Sequence, residues 1–460
     1  MLRNDVRVVS LLAILLTAIF APLVWSGYAE LEKASAAQTY LEAARHYKMA
    51  AQRLPWRADL YELSGHAYYH AEEYILAETV YQKAFDRNAL SPDGWVAWGD
   101  VLYLQDDPER AGQIWEQGLD QEGPSEKLYS RLSQIYKEKR EYSKAAEFLQ
   151  KYVVLHVGEA AAHYRLGLLL ALTDPILATS ELVSASELDP QLDPVVETLR
   201  SVLNLASLED SSSARLVLTG RGLGLVGEWE LARAAFESAV EADAGNAEAW
   251  AWLGEARYQM AEDGWIELDR AFKLEPGSHT VRGLRGLYYE RTGNFRSALI
   301  EFQAAAQLDD QNPAWQVSIG ETYSMLGDLI RALQAYQAAT VLAPDEAAYW
   351  RLLALFCARN HVNIETVGIP AAQKAAVLEE DSPDSLDLLG WLLMLASRHE
   401  ESERMLERAL VLDPQNASAH LHLGMLFLET GDRAQAFAHF VNARDLGNNE
   451  AQAILNQYFP

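Results

Sequence analysis

The stretch Pro313–Pro344, PAWQVSIGETYSMLGDLIRALQAYQAATVLAP, predicts two short helices joined by a tight turn. Apolar residues recur at helical spacing on both sides of Gly327, a residue that tolerates a positive φ. Asp328 follows and can cap the second helix, which Pro344 stops. Gly320 falls in the middle of the first helix, where glycine costs about 1 kcal/mol relative to alanine. A glycine is tolerated there when another helix must approach closely, so we predict a helical hairpin.

This hairpin recurs along the chain, and seven of the ten steps between successive units are 34 residues long. Period and small-residue positions together resemble the tetratricopeptide repeat family. The resemblance implies an all-α solenoid, a right-handed superhelix of helix pairs whose first helices line a concave partner-binding face. The units begin at Ala58, Pro92, Glu126, Ala160, Ser213, Ala247, His279, Pro313, Ala347, Pro383 and Ala417, and their eighth residue is small throughout.

The net charge and the cysteine count of the chain limit which partners and which covalent cross-links we expect. The chain has 38 basic and 66 acidic residues and a net charge of −28. Such an acidic surface opposes binding to nucleic acid, so we predict no nucleic-acid partner. The single cysteine, Cys357, excludes an intrachain disulfide, and its inward position in its unit predicts a buried, inert thiol.

Residues 8–25, VVSLLAILLTAIFAPLVW, contain no charge and are just long enough for one membrane span. Arg3 and Arg7 precede this run, whereas Glu30 and Glu32 follow it. The positive-inside rule then predicts a single-pass anchor with residues 1–7 in the cytoplasm and the repeats on the extracytoplasmic side. A cleaved signal peptide is the alternative, and it would also export the repeats.

The repeat register predicts the remaining organisation of the chain. A break in the 34-residue step should bend the solenoid and divide it into two arms. The predicted parts are lead-in helices at 30–57, a first arm of four units at 58–192, an extra helix and linker at 193–212, a second arm of seven units at 213–447, and a capping helix at 448–460.

No motif for catalysis stands out. Residues 222–227 match the dinucleotide fingerprint GxGxxG, but no strand precedes them, so these glycines are better explained by helix packing and a turn. His66 and His70 lie one turn apart without a third ligand placed near them by sequence. His420 and His422 point to different sides of a helix, which argues against shared metal ligation. We therefore predict a non-enzymatic protein without a cofactor, a metal site or catalytic residues.

The family resemblance implies that repeat positions 2, 5, 9, 12 and 13 face the groove. The first arm then presents a polar surface with Tyr69 and Tyr103. The last units present an apolar surface, which is typical of a partner-binding site. Alternatively, these residues fill the inside of a tight superhelix. The apolar candidates are Trp391, Met394, Leu395, Leu421, Met425 and Leu428.

These observations favour a membrane-anchored scaffold that binds other proteins as peptides or helices in its groove and assembles envelope, export or membrane complexes. The alternative is a soluble periplasmic or secreted peptide-binding protein. A third hypothesis, from another class, is an enzyme subunit with catalytic residues on the groove. The sequence leaves the partner and the oligomeric state open.

Overall fold

In the computed structural model, the backbone is described for residues 2–459 and the side chains for residue 18 and residues 20–459. Within that range helices are the only regular secondary structure, and no strand occurs. It divides into two compact units, one extending to Ala235 and the other beginning at Phe236. The predicted all-α architecture of helix pairs is confirmed, whereas the handedness of a superhelix stays a prediction.

The first unit contains twelve α-helices in its described part and a short 3-10 turn, Pro190–Leu192, before the eleventh. A thirteenth helix, α13 (Trp229–Ala242), carries the boundary between the units. The twelve helices are α1 (Leu2–Ala36), α2 (Tyr40–Arg53), α3 (Asp59–His70), α4 (Tyr74–Phe85), α5 (Pro92–Leu104), α6 (Pro108–Glu122), α7 (Glu126–Glu138), α8 (Tyr142–Leu155), α9 (Ala160–Leu170), α10 (Pro175–Leu188), α11 (Asp193–Ser207) and α12 (Ser212–Leu225).

The second unit continues the alternation of first and second helices, with one π-helical segment, Ile364–Gly368, in the connection between Asn360 and Ile369. Its helices are α14 (Ala247–Gln259), α15 (Trp265–Leu274), α16 (His279–Arg291), α17 (Phe295–Leu308), α18 (Pro313–Met325), α19 (Leu329–Leu342), α20 (Ala347–Asn360), α21 (Ile369–Leu378), α22 (Pro383–Leu395), α23 (His399–Leu412), α24 (Ala417–Thr430), α25 (Arg433–Asp445) and α26 (Asn449–Tyr458).

The quoted hairpin forms as the sequence predicts. Gly327 adopts a φ of +78° in the turn between α18 and α19. The Asp328 carboxylate accepts a hydrogen bond from the Arg331 backbone N–H and so caps α19. Gly320 lies against the Tyr336 ring, and a Cβ at position 320 would approach that ring to 3.0 Å. The glycine therefore makes room for an aromatic side chain of the second helix.

The same close approach builds the core of other hairpins. A Cβ at Gly286 would lie 2.5 Å from the Phe302 ring, and one at Gly424 would lie 2.7 Å from the Phe440 ring. Both phenylalanines are fully buried. Successive first helices also pack side by side, as α3 with α5, α20 with α22 and α22 with α24. Stacking therefore places equivalent positions of neighbouring units next to each other.

The break in the repeat corresponds to α11. This helix packs against α10 and α12 and buries Val196, Leu199 and Leu203. The assignment of 193–212 as an extra helix and linker stays a prediction. The boundary between the two compact units falls within α13, about one hairpin later than the predicted linker. The predicted bend stays a prediction.

The predicted membrane anchor needs correction. The side chains of residues 1–17 and 19 lie outside the described part of the chain, and they include most of the span at 8–25. Among the residues that are described, no helix is both long enough and apolar enough to cross a membrane. Beyond the apolar run, α1 continues to Ala36 and packs on α2. The localisation with a single-pass anchor and extracytoplasmic repeats is therefore wrong.

A buried carboxylate attaches α1 to α2. The Glu30 side chain lies 3.0 Å from the Arg53 guanidinium, 3.1 Å from the Lys33 ammonium and 2.6 Å from His46 Nδ1. The hydrogen bond with His46, reinforced by Lys33 and Arg53, lowers the pKa of Glu30 to about 2. The charges on this part of α1 are therefore structural contacts of the first unit.

Candidate partner-binding groove

Three first helices of the second unit, α20, α22 and α24, present the same face to one cavity. Each helix contributes positions 2, 5, 6 and 9 of its repeat unit, the spacing that places side chains on one side of a helix. The contributing residues are Ala348, Arg351, Leu352 and Leu355 on α20, Asp384, Asp387, Leu388 and Trp391 on α22, and Ser418, Leu421, His422 and Met425 on α24.

The cavity that these helices enclose has a volume of about 760 Å³. Its middle is apolar, because Leu355, Trp391 and Met425 occupy the ninth position of the three neighbouring units. All three side chains are only partly buried and can therefore contact a ligand. Asn448 and Glu450, at the beginning of α26, complete the lining. This volume suits a short peptide segment or a group of side chains.

The contact between His422 and Asp387 fixes the orientation of the Trp391 ring in the groove. The Trp391 indole stacks on the His422 ring with 4.8 Å between the ring centres and 13° between the planes. His422 Nδ1 lies 2.7 Å from Asp387 Oδ1, and both side chains are about nine-tenths buried. The carboxylate thus holds the imidazole, and the imidazole holds the indole in one orientation. A rigid, partly exposed indole is well suited to anchor a partner.

Most charged groups of the groove have partners within the chain. The Arg351 guanidinium lies 3.3 Å from the Glu379 carboxylate. The Asn416 side-chain amide donates to Asp384 Oδ1 over 3.0 Å. Arg359 is exposed, and no ion pair or hydrogen bond of its guanidinium occurs within residues 18 and 20–459. The groove therefore contains a cation that is free to contact a ligand.

The structure separates the six apolar candidates into two groups. Trp391 and Met425 line the cavity with accessible surface. Met394 and Leu421 are 4% and 5% exposed and belong to the cores around Leu406 and Phe440. These two side chains fill the inside of the chain and leave little surface for a partner, although Leu421 still borders the cavity.

Leu395 and Leu428 are neither fully buried nor part of the cavity lining. Both are partly buried against core clusters of the second unit, and neither belongs to the lining of the cavity. They lie at repeat positions 13 and 12, farther along their helices than the ninth position. Apart from Arg359 at position 13, the residues of α20, α22 and α24 that line the cavity are at positions 2, 5, 6 and 9.

Sequence reasoning missed the polar members of this site. Asp384, Asp387 and Arg351 occupy positions 2 and 5, which the resemblance assigns to the groove, but an apolar surface as the criterion for a partner site does not include them. Arg359 occupies position 13 and could have been found in the same way. His422 is at position 6, outside the implied set, and only its contact with Asp387 places it in the site.

Tyr69 and Tyr103 come together in a smaller cavity of about 210 Å³ in the first unit, between α3, α5 and α7. The Tyr103 hydroxyl donates to Glu138 over 2.9 Å, and this bond raises the pKa of Tyr103. Burial raises the pKa of Tyr69. Arg131 bridges to Asp100 over 2.7 Å across the same surface. The polar groups of this face therefore bind mainly to one another.

A further cavity of about 450 Å³ lies beside this face, between α7, α8, α9 and the connection that leads into α13. Lys137 and Arg165 contribute cations, and Glu228 and Glu230 contribute carboxylates. The Lys137 ammonium lies 3.7 Å from Glu230, and Arg165 lies 3.6 Å from Glu159. The lining is thus polar and largely paired, in contrast to the apolar middle of the groove in the second unit.

The remaining candidate residues have structural partners. His420 Nδ1 lies 3.0 Å from His439 Nδ1, while His422 faces Asp387, so the two neighbouring histidines do point apart. Within the described residues, no group of three or more His, Cys, Asp or Glu side chains could hold a metal ion. Cys357 is buried as predicted, and burial raises the pKa of its thiol to about 11.

The fingerprint at 222–227 serves helix packing. Gly222 and Gly224 lie within α12, and a Cβ at these positions would meet Val202 and Trp229, each within 2.8 Å. Gly227 has a φ of +84° in the turn after the helix. No strand precedes the motif, and Gly222 and Gly224 lie inside α12 instead of in a turn between a strand and a helix, as pyrophosphate binding requires. The glycines therefore have the roles expected from the repeat.

Comparisons with known proteins agree with the helical repeat. Residues 220–260 and 388–451 match a family model described as tetratricopeptide repeat. Anaphase-promoting complex subunit 3 of Schizosaccharomyces pombe is 22% identical over 199 residues, which are 42% of this chain and 30% of that protein. The matched part thus spans less than a third of the length of that curated relative.

Two solved structures align over most of the chain at low sequence identity. The APC/C hetero-tetramer Cut9–Hcn1 has a TM-score of 0.44 and 14% sequence identity, covering 92% of this chain and 93% of the other. Yeast Tom70 has a TM-score of 0.40 and 16% identity, covering 96% of this chain and 95% of the other.

Proposed function

We propose that the chain is a protein-interaction scaffold of the tetratricopeptide repeat kind, and that its partner site is the groove of α20, α22 and α24. Repeats of this kind stack into extended surfaces that suit the binding of other proteins. We place the partner site in the second unit because its groove combines volume, accessible apolar surface and a free cation. The partner is a protein segment, extended or helical, that inserts an apolar side chain into the groove.

The observation that carries this proposal is the partly exposed Trp391 ring, fixed by His422 and Asp387 at the wall of a 760 Å³ cavity. Burying an aromatic side chain at the centre of an interface typically contributes 2 kcal/mol or more to binding. A side chain already held in one orientation loses little conformational entropy when the partner binds. Trp391 therefore provides the main anchor, and Met425 and Leu355 extend the apolar surface.

A display library of random peptides, about twice as long as the groove, tests the proposal on the full chain. We expect selection of peptides that bind the wild type and whose affinity falls at least about thirtyfold in Trp391→Ala. Met425→Ala should weaken the same peptides less. Tyr103→Ala is the matched control, because it removes an aromatic side chain from the concave face of the first unit.

Circular dichroism and thermal unfolding of each variant separate loss of binding from loss of fold. If the selected peptides bind Trp391→Ala and the wild type equally well, while Tyr103→Ala weakens them, the partner site lies in the first unit. Failure to enrich any peptide whose binding depends on Trp391 would overturn the proposed groove.

A further inference from the structure

We infer that the groove binds a segment with opposite charges at its two ends, and that these charges fix the direction in which the segment lies. This inference rests on the proposed function of the groove. Its basis is the uneven distribution of charged groups along α20, α22 and α24, on either side of the apolar ninth positions.

The end of the groove near the helix N-termini is acidic. Asp384 and Asp387 lie in the first turns of α22, and Glu450 lies in the first turn of α26. Arg351 is also at this end, but its charge is offset by Glu379, 3.3 Å away. Because Asp387 is buried against His422, two exposed carboxylates, Asp384 and Glu450, remain at this end.

Hydrogen bonds use only part of the capacity of these carboxylates. Asp384 accepts one bond from Asn416, and Asp387 accepts one from His422, each through Oδ1. A carboxylate can accept about four hydrogen bonds, so the exposed Asp384 keeps lone pairs for a ligand, whereas Asp387 is buried against His422. Glu450 forms no ion pair with any described side chain. This end therefore suits a lysine or arginine of the partner.

The opposite end is cationic. Arg359 is in the last turn of α20. Asp384 occupies position 2 of its unit, and the same position on α20 is Ala348, eleven residues before Arg359. The rise of an α-helix makes this about 16 Å along the axis, and the neighbouring helix adds about 9 Å sideways. The two ends are therefore roughly 19 Å apart, a distance that about six extended residues span.

The apolar level of the groove lies between these ends. Leu355 is one helical turn before Arg359 on α20, and Trp391 and Met425 are at the same level on the next two helices. An occupant that satisfies all three regions has an acidic side chain at Arg359, an apolar side chain on Trp391, and a basic side chain at Asp384 and Glu450. Charges at the rim of an interface select the partner and exclude like-charged alternatives.

The test uses the peptides selected on the full wild-type chain. We expect one order of charges, either acidic-to-basic or basic-to-acidic along the peptide, to dominate those that depend on Trp391. Arg359→Glu should weaken these peptides at least tenfold, and replacing their acidic residue by lysine should restore binding. Arg408→Glu, with the same charge change at an exposed position of α23, should leave binding unchanged.

The outcomes distinguish the two proposals. Peptides that depend on Trp391 but show no charge asymmetry, or that bind Arg359→Glu as well as the wild type, would overturn the directional inference and leave the groove in place. Equal weakening by Arg408→Glu would show that only the net charge of the chain matters, which also overturns it. Absence of any peptide that depends on Trp391 would remove the groove itself.

Discussion

The concave faces of the two units use the same positions of the same repeat in different ways. In the first unit, side chains on successive first helices bind each other: Lys127 to Asp93 over 2.7 Å, and Arg131 to Asp100 over 2.7 Å. In the second unit, α20 and α22 face a cavity of about 760 Å³, compared with 210 and 450 Å³ for the cavities of the first unit.

The difference shows how one scaffold can form both a closed and an open surface. Where position 2 or 9 of one unit meets a complementary charge in the next, the polar groups satisfy each other and leave little for a ligand. Where the ninth positions are Leu355, Trp391 and Met425, the surface remains apolar and accessible. A few positions of the repeat, rather than the fold, therefore decide which surface stays open and apolar.

The largest expected effect concerns what the units share, namely a large side chain packed on a small residue. Trp115 in the first unit and Phe302 in the second are almost completely buried. We expect Trp115→Ala and Phe302→Ala each to lower the free energy of unfolding by about 3–5 kcal/mol, since each leaves a cavity in its hairpin.

Urea unfolding followed by circular dichroism measures these two changes. Ile75→Ala and Ile300→Ala are matched controls, because these side chains are exposed on second helices of the two units, and they should cost less than about 0.5 kcal/mol. A loss below about 1 kcal/mol for either core variant would contradict a shared packing rule.

A smaller effect separates the two concave faces. Arg131 is paired with Asp100 in the first unit, whereas Arg359 in the second has no ion pair among the described residues. We expect a double-mutant cycle of Arg131→Ala and Asp100→Ala to give a coupling energy of about 0.2–1 kcal/mol, because the pair is partly exposed.

Arg359→Ala should change the stability by less than about 0.5 kcal/mol, because no partner within the chain is lost. Unfolding in urea serves for all these variants. A clear destabilisation by Arg359→Ala would show that this arginine has an internal partner, and the contrast between the two faces would then fail.

Acid should also affect the units differently. Burial, and then the neighbouring His420, lower the pKa of His439 in the second unit below its usual 6.5. The unfolded chain therefore takes up this proton more readily, and stability is lost as the pH falls through 6.5. The contribution of Glu30 in the first unit, with its pKa of about 2, is lost only below its unfolded value of 4.5.

Urea midpoints measured from about pH 7.5 to about pH 5.5 test this difference. The wild-type midpoint should decrease over this range, and His439→Gln should flatten the decrease. His70→Gln removes an exposed histidine of the first unit and serves as the control. An unchanged slope in His439→Gln would assign the acid sensitivity to other groups.

Much of the fold could be predicted from the sequence because the repeat is defined by local rules. The turn at Gly327, the cap at Asp328 and the close packing at Gly320 all depend on neighbouring residues of one hairpin. The N-terminal anchor could not be judged in the same way, since an apolar run does not show where its helix ends. The structure shows α1 continuing to Ala36, with Glu30 paired to cations.

The site was harder to predict than the fold. Trp391 and Met425 were found because the repeat register places position 9 on the concave face. Met394 and Leu421 were chosen by the same apolar criterion, but whether such a residue lies in a groove or a core depends on neighbouring helices. The contact between His422 and Asp387 joins residues 35 positions apart, and no local sequence pattern predicts it.

The most direct test of the open groove in the second unit is NMR of the methionine methyl groups during titration with a selected peptide. The chain has seven methionines; Met425 lines the groove, Met394 is buried and Met325 is exposed on α18. Met425→Leu assigns the decisive signal. We predict that the Met425 methyl signal shifts most and that of Met325 stays in place. A peptide that binds the chain while the Met425 signal remains unchanged would contradict the proposed groove.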